Sequence, residues 1–338
     1  MPPSTSNRYP VYRTPRRRRR SSLIVLTALF VVLALLTLNR QSLYDWYRLR
    51  GYTAPPAVAQ LATQDAMTGY ARKVFYVNRP AIDDKAAFKT ACPNNGGEKT
   101  IVLGCYHGVQ GGIFLFDVTD PRLDGVQQVT AAHEMLHAAY DRLSSSDRKK
   151  VDAMLMDYYQ HGLTDERIRA NIDAYKKSEP LDVVNEMHSI FGTEVAKLPG
   201  GLEDYYKKYF SNRQAVAGFA AQYQSEFTTR QAQVKADDSQ LAAMKTQIDS
   251  TEADLRNQLA SIDSQQQNLQ SLRSNGSIAA YNAAVPGYNR QVDSYNAAVS
   301  GLQDLVARYN DLVSQRNAIA VEESELVNAL SASASPIQ

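Results

Sequence analysis

Hydrophobic residues follow three different patterns along the 338-residue chain. An almost continuous apolar run occupies residues 23–38, and mixed spacings with three- and four-residue repeats occupy roughly 61–210. From residue 227 onward, apolar residues recur every seven positions. These patterns are typical of a membrane-spanning helix, a small mixed domain and a coiled coil, respectively. The sequence therefore predicts an α+β protein with an N-terminal anchor and a long helical hairpin.

The N-terminal apolar run predicts a transmembrane helix at residues 23–39. With its flanks it reaches the ~17–25 residues that a helix needs to cross a bilayer. Five consecutive arginines, Arg16 to Arg20, precede it and predict that the tail 1–22 is cytoplasmic and that the remaining domains are extracytoplasmic, at the cell surface or in the periplasm. No small-residue cleavage site closely follows Leu38, so the pattern favours a retained anchor over a cleaved signal peptide.

Charge outside the tail excludes one class of partner. The chain has 37 basic and 35 acidic residues, and seven of the basic ones precede position 23. Beyond the tail, the chain is therefore slightly acidic. A nucleic-acid-binding domain usually spreads its lysines and arginines over a folded face. We therefore expect a lipid bilayer, and no nucleic acid, among the partners.

The mixed pattern predicts a linker at 40–60 followed by a small domain at 61–210. Residues 61–70 read as a short helix, and the β-branched and aromatic segment 73–77 reads as a strand. Residues 101–106 and 113–118 flank a glycine-rich stretch and predict a strand pair. Helical spacing then predicts four helices, at 126–143, 146–161, 166–177 and 180–197.

Two cysteines, Cys92 and Cys105, lie in this domain and are the only ones in the chain. Their separation does not match the short CxxC spacing of thiolate metal ligands. An extracytoplasmic compartment permits oxidation. The sequence therefore predicts a structural disulfide.

The heptad pattern predicts a coiled-coil hairpin at 211–332, followed by a disordered tail at 333–338. The first arm would reach ~90 Å at 1.5 Å per residue, and a break near Gly276 separates it from the second. Pro286 is expected to kink or break the second arm. Polar residues at seam positions such as Arg230 and Asp237 leave room for a partner helix. A coiled-coil partner or self-association therefore remains open.

The most informative motif is His133-Glu134-Met135-Leu136-His137. On a helix, His133 and His137 lie one turn apart on the same face, so both imidazoles can bind one Zn²⁺. Glu134 then lies beside them, toward a metal-bound water. Uncharged residues surround the motif, which is typical of a helix that is buried except at the metal.

The segment from Thr130 to Ala139 resembles the active-site helix of the zincin metallopeptidases. The resemblance implies one Zn²⁺ per chain, with His133 and His137 as ligands and Glu134 as the general base. It also implies an endopeptidase that hydrolyses peptide bonds with a metal-activated water, and a strand beside the cleft that aligns the substrate backbone. The expected substrate is a peptide or protein.

The third ligand must come from downstream, because no His-x-x-Gly-x-x-His continuation follows His137. Asn185-Glu186 resembles the glutamate helix of the gluzincins, which implies Glu186 as the third ligand. Glu194 is the alternative, as a ligand or as an acceptor for a histidine N–H. His188 is a further alternative, although it points away from Glu186 on an ideal helix.

A donor is also expected near the oxyanion that forms during hydrolysis. Tyr175, His188 and Tyr205 are the candidates, and the sequence does not choose among them. Two other functions stay open: a catalytically silent envelope adaptor or scaffold acting through the hairpin, and a zinc amidase acting on cell-wall peptides.

Overall fold

The computed structural model describes residue 4 and residues 18–93, 103–108 and 111–331. The described chain is mostly helical, with one three-stranded sheet. The predicted tail 333–338 and most of the tail 1–22 lie outside the described residues. The elements, in chain order, are α1 (Arg18–Leu38), α2 (Arg40–Leu49), α3 (Pro56–Gln64), α4 (Gly69–Val77), β1 (Ala81–Asp83), α5 (Lys85–Ala91), β2 (Gly104–His107), β3 (Gly112–Phe116), α6 (Val126–Tyr140), α7 (Ser145–Asp157), α8 (Glu166–Ser178), α9 (Val183–Glu194), α10 (Gly200–Tyr206), α11 (Arg213–Ser274) and α12 (Ile278–Leu330).

The N-terminal apolar run forms α1, and its apolar side chains from Ile24 onward are largely exposed. Among the described residues, no single helix has both the length and the apolar character needed to cross a membrane. Only the combination of α1 from Ile24 with α2 meets both criteria, and a 65° bend separates these two helices. The segment 40–60, expected as a linker, itself contains α2 and the first turns of α3.

The predicted strand at 73–77 is wrong, because this segment is the second half of α4. The Thr68 side chain caps the helix by accepting a hydrogen bond from the Ala71 amide. Val74, Phe75 and Val77 are all buried in the helical conformation. Burial of these residues outweighs their preference for strands. The predicted helix 61–70 is also interrupted, since Ala66 has a φ of 50° between α3 and α4.

The sheet has the strand order β1-β3-β2. β2 and β3 form the predicted antiparallel pair, and β1 runs parallel to β3. β2 is therefore an edge strand of the described sheet. The predicted disulfide is confirmed: Cys92, directly after α5, is bonded to Cys105 in β2. The disulfide links the edge strand β2 to the C-terminal end of α5, the helix that precedes β2 in the chain.

Helix α6 lies at the centre of the domain and is buried along almost its whole length. Helix α9 packs closely across it, and Gly192 marks the contact. A Cβ at Gly192 would overlap the Leu136 side chain and lie 2.8 Å from Cε1 of Tyr206. α9 begins at Val183 rather than at Pro180, because residues 179–182 form a turn.

The predicted hairpin is present as α11 and α12, joined at Gly276 with a φ of 76°. Its seam buries apolar side chains from both arms, and Arg316 bonds across to Asp238 at 2.9 Å. Pro286 was expected to kink or break the second arm; it does not break it, because α12 continues through it. Pro286 is exposed, so water can reach the carbonyl that loses its helical hydrogen bond.

The base of the hairpin docks at the N-terminal end of α6. Leu326 and Leu330, at the end of α12, are buried against Leu123 and Val126. Phe219 of α11 lies so close to Gly125 that a Cβ at Gly125 would be 2.8 Å from the Phe219 carbonyl oxygen. The hairpin therefore leaves the domain at the N-terminal end of α6.

Gly192 provides a test of the packing between α6 and α9. We expect Gly192→Ala to lower the free energy of unfolding by ~1–3 kcal/mol, because its Cβ has no room. The matched control Gly218→Ala, on an exposed helical position with no neighbour within 4 Å, should raise it by up to ~1 kcal/mol. The measurement is urea unfolding of the full chain in detergent, followed by tyrosine near-ultraviolet circular dichroism. Equal stability of the two variants would contradict the close packing.

Candidate metal centre

The candidate metal centre is built on α6, whose N-cap residue Gly125 has a left-handed conformation with a φ of 100°. From Val126 to Tyr140 the sequence contains neither glycine nor proline, so nothing interrupts the helix. His133 and His137 consequently lie one turn apart, with their rings 4.7 Å apart between centroids. His137 is buried and His133 is half-buried.

Glu186 of α9 faces both histidines. Nε2 of His133 lies 3.5 Å from Oε2 of Glu186, and Nε2 of His137 lies 3.4 Å from Oε1. One ligand atom from each of the three residues lies within 4.8 Å of the others. A tetrahedral Zn²⁺ with bonds of ~2.0–2.1 Å separates its ligand atoms by about 3.4 Å. The spacing of Glu186 from each histidine is thus compatible with a tetrahedral zinc ion.

The electrostatic environment of Glu186 also fits a bound cation. The residue is buried, with 8% of its surface exposed, and its Oε2 has no hydrogen-bond partner within the described part of the chain. Burial raises the pKa of Glu186, but the facing His137 and His133 lower it by more, so the group stays a carboxylate. A buried carboxylate oxygen without a hydrogen bond is costly unless a charge compensates it. The three residues therefore suit a divalent metal with nitrogen and oxygen ligands.

Glu134 lies on the flank of α6 that faces the sheet, and it too is buried. The edge strand β2 reaches it through Gly104. A Cβ at Gly104 would lie 2.8 Å from Oε1 of Glu134 and 2.6 Å from Cγ2 of Thr130. Only glycine allows the strand to approach the helix this closely. The sequence offered no signal for this role, since a single glycine at the start of a strand is unremarkable.

The structure separates Glu194, the alternative third ligand, from the two histidines. Its carboxylate accepts hydrogen bonds from Arg167 at 2.8 Å and from Gln224 at 3.0 Å. Glu194 thus joins α9 to α8 and α11. The group that meets the geometric requirement for a metal contains Glu186 instead.

His188 lies in a buried cluster of tyrosines, and its ring is 5.2 Å from that of Tyr140 of α6 between centroids. Its Nε2 is 2.8 Å from the Tyr205 hydroxyl, which is 3.1 Å from the Tyr209 hydroxyl. Burial, together with His137 and His133, lowers the pKa of His188 well below its usual range, so its ring is neutral. Two of the three candidate oxyanion donors, His188 and Tyr205, therefore hydrogen-bond each other. Tyr175, the third, is partly buried on α8 against the core.

A second group of potential ligands, Cys92, Cys105 and His107, also lies within 4.8 Å. The two sulfurs are joined in the disulfide, so they cannot act as thiolate ligands. His107 Nε2 is instead 2.7 Å from the carbonyl oxygen of Ala91. This group stabilises the attachment of β2 to α5.

Comparisons with known proteins give no match: no family model, no curated protein and no solved structure is similar to this chain. The local geometry of the site therefore carries the functional argument.

Zinc binding tests the composition of the site. We expect the full chain to bind one Zn²⁺, and His133→Ala, His137→Ala and Glu186→Ala each to weaken binding by ~100-fold or more, because three protein ligands hold the ion. Glu194→Ala should bind normally, since its carboxylate contacts Arg167. His161→Ala, at an exposed position, is the matched histidine control. The measurement is metal content by mass spectrometry together with competition against a zinc chelator. Loss of zinc in Glu194→Ala but not in Glu186→Ala would contradict the assignment.

Proposed function

We propose that the protein is a membrane-anchored zinc endopeptidase that hydrolyses peptide bonds outside the cytoplasm. The observation that carries the proposal is the arrangement of His133, His137 and Glu186 around one point, with Glu134 on the same helix. Three protein ligands leave a fourth position of a tetrahedral ion open for water, which is typical of catalytic rather than structural zinc sites.

The chemistry follows from the positions of these side chains. When bound, zinc polarises a carbonyl group and lowers the pKa of its water toward ~7. Glu134 accepts the proton of the attacking water and returns it to the leaving amine. Glu134, His137 and Glu186 are buried. Interactions between charges are stronger in such an environment than in water. His133, His137 and Glu186 would thus hold the ion, and Glu134 would transfer the proton.

The edge strand supports a polypeptide as the substrate. β2 ends the described sheet on one side, and Gly104 brings it against Glu134. An extended peptide can add to an exposed sheet edge through main-chain hydrogen bonds. A backbone bound along β2 would run past the general base. This arrangement favours an endopeptidase over an amidase for wall peptides, although the amidase would use the same metal ligands.

The proposed location agrees with the disulfide and with the N-terminal run. Disulfides persist in oxidising compartments and are rare in the cytosol. The Cys92–Cys105 bond therefore supports an extracytoplasmic domain. The apolar surface of α1 supports insertion of this helix in the membrane, with the arginine-rich tail on the cytoplasmic side.

Glu134 tests the proposed reaction. We expect Glu134→Gln to bind zinc normally and to lower the rate of peptide hydrolysis by ~10²–10⁴-fold, because the amide cannot accept the proton. The measurement uses the zinc-loaded full chain and a library of quenched fluorescent peptides. Glu166→Gln, at an exposed position on α8, is the matched control and should retain activity.

Two outcomes would contradict the proposal. A parent chain that binds zinc but cleaves no peptide of the library would favour the adaptor function of the hairpin. Full activity in Glu134→Gln would show that another group is the general base.

Gly104 tests the role of the edge strand. We expect Gly104→Ala to keep its zinc, because no ligand moves, and to lower kcat by ~10-fold or more, because Glu134 is displaced from its position. Gly200→Ala, with no neighbour within 4 Å, is the control. Metal content and kcat are measured on the same preparations. An unchanged kcat in Gly104→Ala would show that the close packing of β2 on Glu134 is not needed for the reaction.

A further inference from the structure

Helix α2 follows α1 after a single residue, Asn39, and is bent from it by 65°. With α1 in the membrane, as proposed above, a helix that turns away from it by this angle lies nearer the membrane plane than the membrane normal. The ten residues of α2 present two different faces, and each face has its own contacts.

Asp45 clamps the inner face of α2 to the domain that carries His133, His137 and Glu186, here called the metal domain. This carboxylate is only 3% exposed, and it accepts two hydrogen bonds from Arg142, at 3.0 and 3.1 Å. Lys73 of α4 lies 3.1 Å away on the same carboxylate. Burial by itself raises the pKa of Asp45, but Arg142 and Lys73 lower it by more, so the group is ionised. A bidentate arginine contact of this kind fixes geometry as well as distance.

A second contact continues the clamp along the helix. Nε of Arg48 donates to the carbonyl oxygen of Val77 at 3.1 Å, and Arg79 donates to the carbonyl oxygen of Arg48 at 3.4 Å. The ion pairs of Asp45 and a hydrogen bond to the main chain of α2 therefore both hold the helix against the domain. It belongs to the metal domain rather than to a flexible linker.

The outer face of α2 exposes large apolar and aromatic side chains. Leu43 is 45% exposed, Trp46 63% and Tyr47 71%. The guanidinium of Arg50 lies over the Trp46 ring, 5.6 Å from its centroid. Tryptophan and tyrosine are enriched where a membrane meets water, and arginine interacts with lipid headgroups. The chemistry of this face is that of an interfacial helix.

We propose that α2 binds the headgroup region of the outer leaflet, with Leu43, Trp46 and Tyr47 inserted. This inference rests on the proposed anchoring of α1 in the same membrane. The occupant of the outer face is thus the lipid surface from which α1 emerges, since Asn39 alone separates the N-terminal end of α2 from the end of α1. The Asp45 clamp then holds the metal domain in one orientation on the bilayer.

The orientation places the metal centre near the membrane. Arg142, the residue bound by α2, follows the C-terminal end of α6, and His137 precedes it by five residues. From His137 to the end of α6 at Tyr140 the helix rises about 4.5 Å, at 1.5 Å per residue. The hairpin leaves at the opposite end of α6. The peptide bonds that this site could hydrolyse therefore lie in polypeptide segments close to the bilayer surface. The hairpin extends away from the bilayer.

The single tryptophan of the chain, Trp46, provides the test. The full chain is reconstituted in phosphatidylcholine vesicles whose acyl chains carry bromine either near the headgroups or near the bilayer centre. We expect shallow bromine to quench about half or more of the Trp46 fluorescence and deep bromine to quench clearly less, as for interfacial tryptophans. Leu43→Glu with Tyr47→Glu should reduce the shallow quenching at least about two-fold, because charged side chains leave the apolar region.

The control carries Trp46→Phe with Tyr309→Trp, which moves the fluorophore to the hairpin, and should show no quenching. Alkaline carbonate extraction of the same vesicles reports separately on α1. Retention of the chain with unquenched Trp46 would overturn the interfacial helix and leave the anchor intact. Release of the chain by carbonate would overturn both, and zinc binding would be unaffected.

Discussion

The metal centre depends on one contact, the close crossing of α9 over α6. Gly192 removes the side chain that would keep the two helices apart at Leu136. The crossing brings the Glu186 carboxylate into a buried position opposite His133 and His137. In that position the carboxylate can be stabilised by a metal ion or by charged imidazoles, and Oε2 makes no hydrogen bond among the described residues. The other parts of the site are arranged around this buried negative charge.

Helix α6 organises the molecule as well as the site. The edge strand β2 packs on its flank at Glu134, and the disulfide fixes β2 from its other side. The hairpin is attached at its N-terminal end, and the clamp to α2 lies just beyond its C-terminal end. A site on a rigid central helix keeps its geometry more precisely than a site on loops.

The sequence predicted the parts of the site that depend on local spacing. His133, Glu134 and His137 are brought together by one helical turn, and the heptads defined the hairpin without tertiary information. Glu186 was predicted from a resemblance, and the structure places it beside the histidines. The disulfide followed from the compartment and the cysteine spacing.

The remaining features depend on contacts between distant segments. The segment 73–77 has the composition of a strand, but its burial against the core makes it helical. Gly104 and Gly192 matter only because of the side chains that lie opposite them. Asp45 and Arg142 are 97 residues apart, and nothing in their local sequence connects them. Such positions are determined by packing, which a single sequence does not display.

X-ray absorption at the zinc edge of the reconstituted full chain tests the central claim most directly. The account predicts one zinc with four nitrogen and oxygen neighbours at ~2.0–2.1 Å, two of them with the outer-shell scattering of imidazole. A spectrum with sulfur neighbours at ~2.3 Å would place the metal at Cys92 and Cys105 instead. A spectrum with a single imidazole, or with none, would show that His133 and His137 do not bind the ion together.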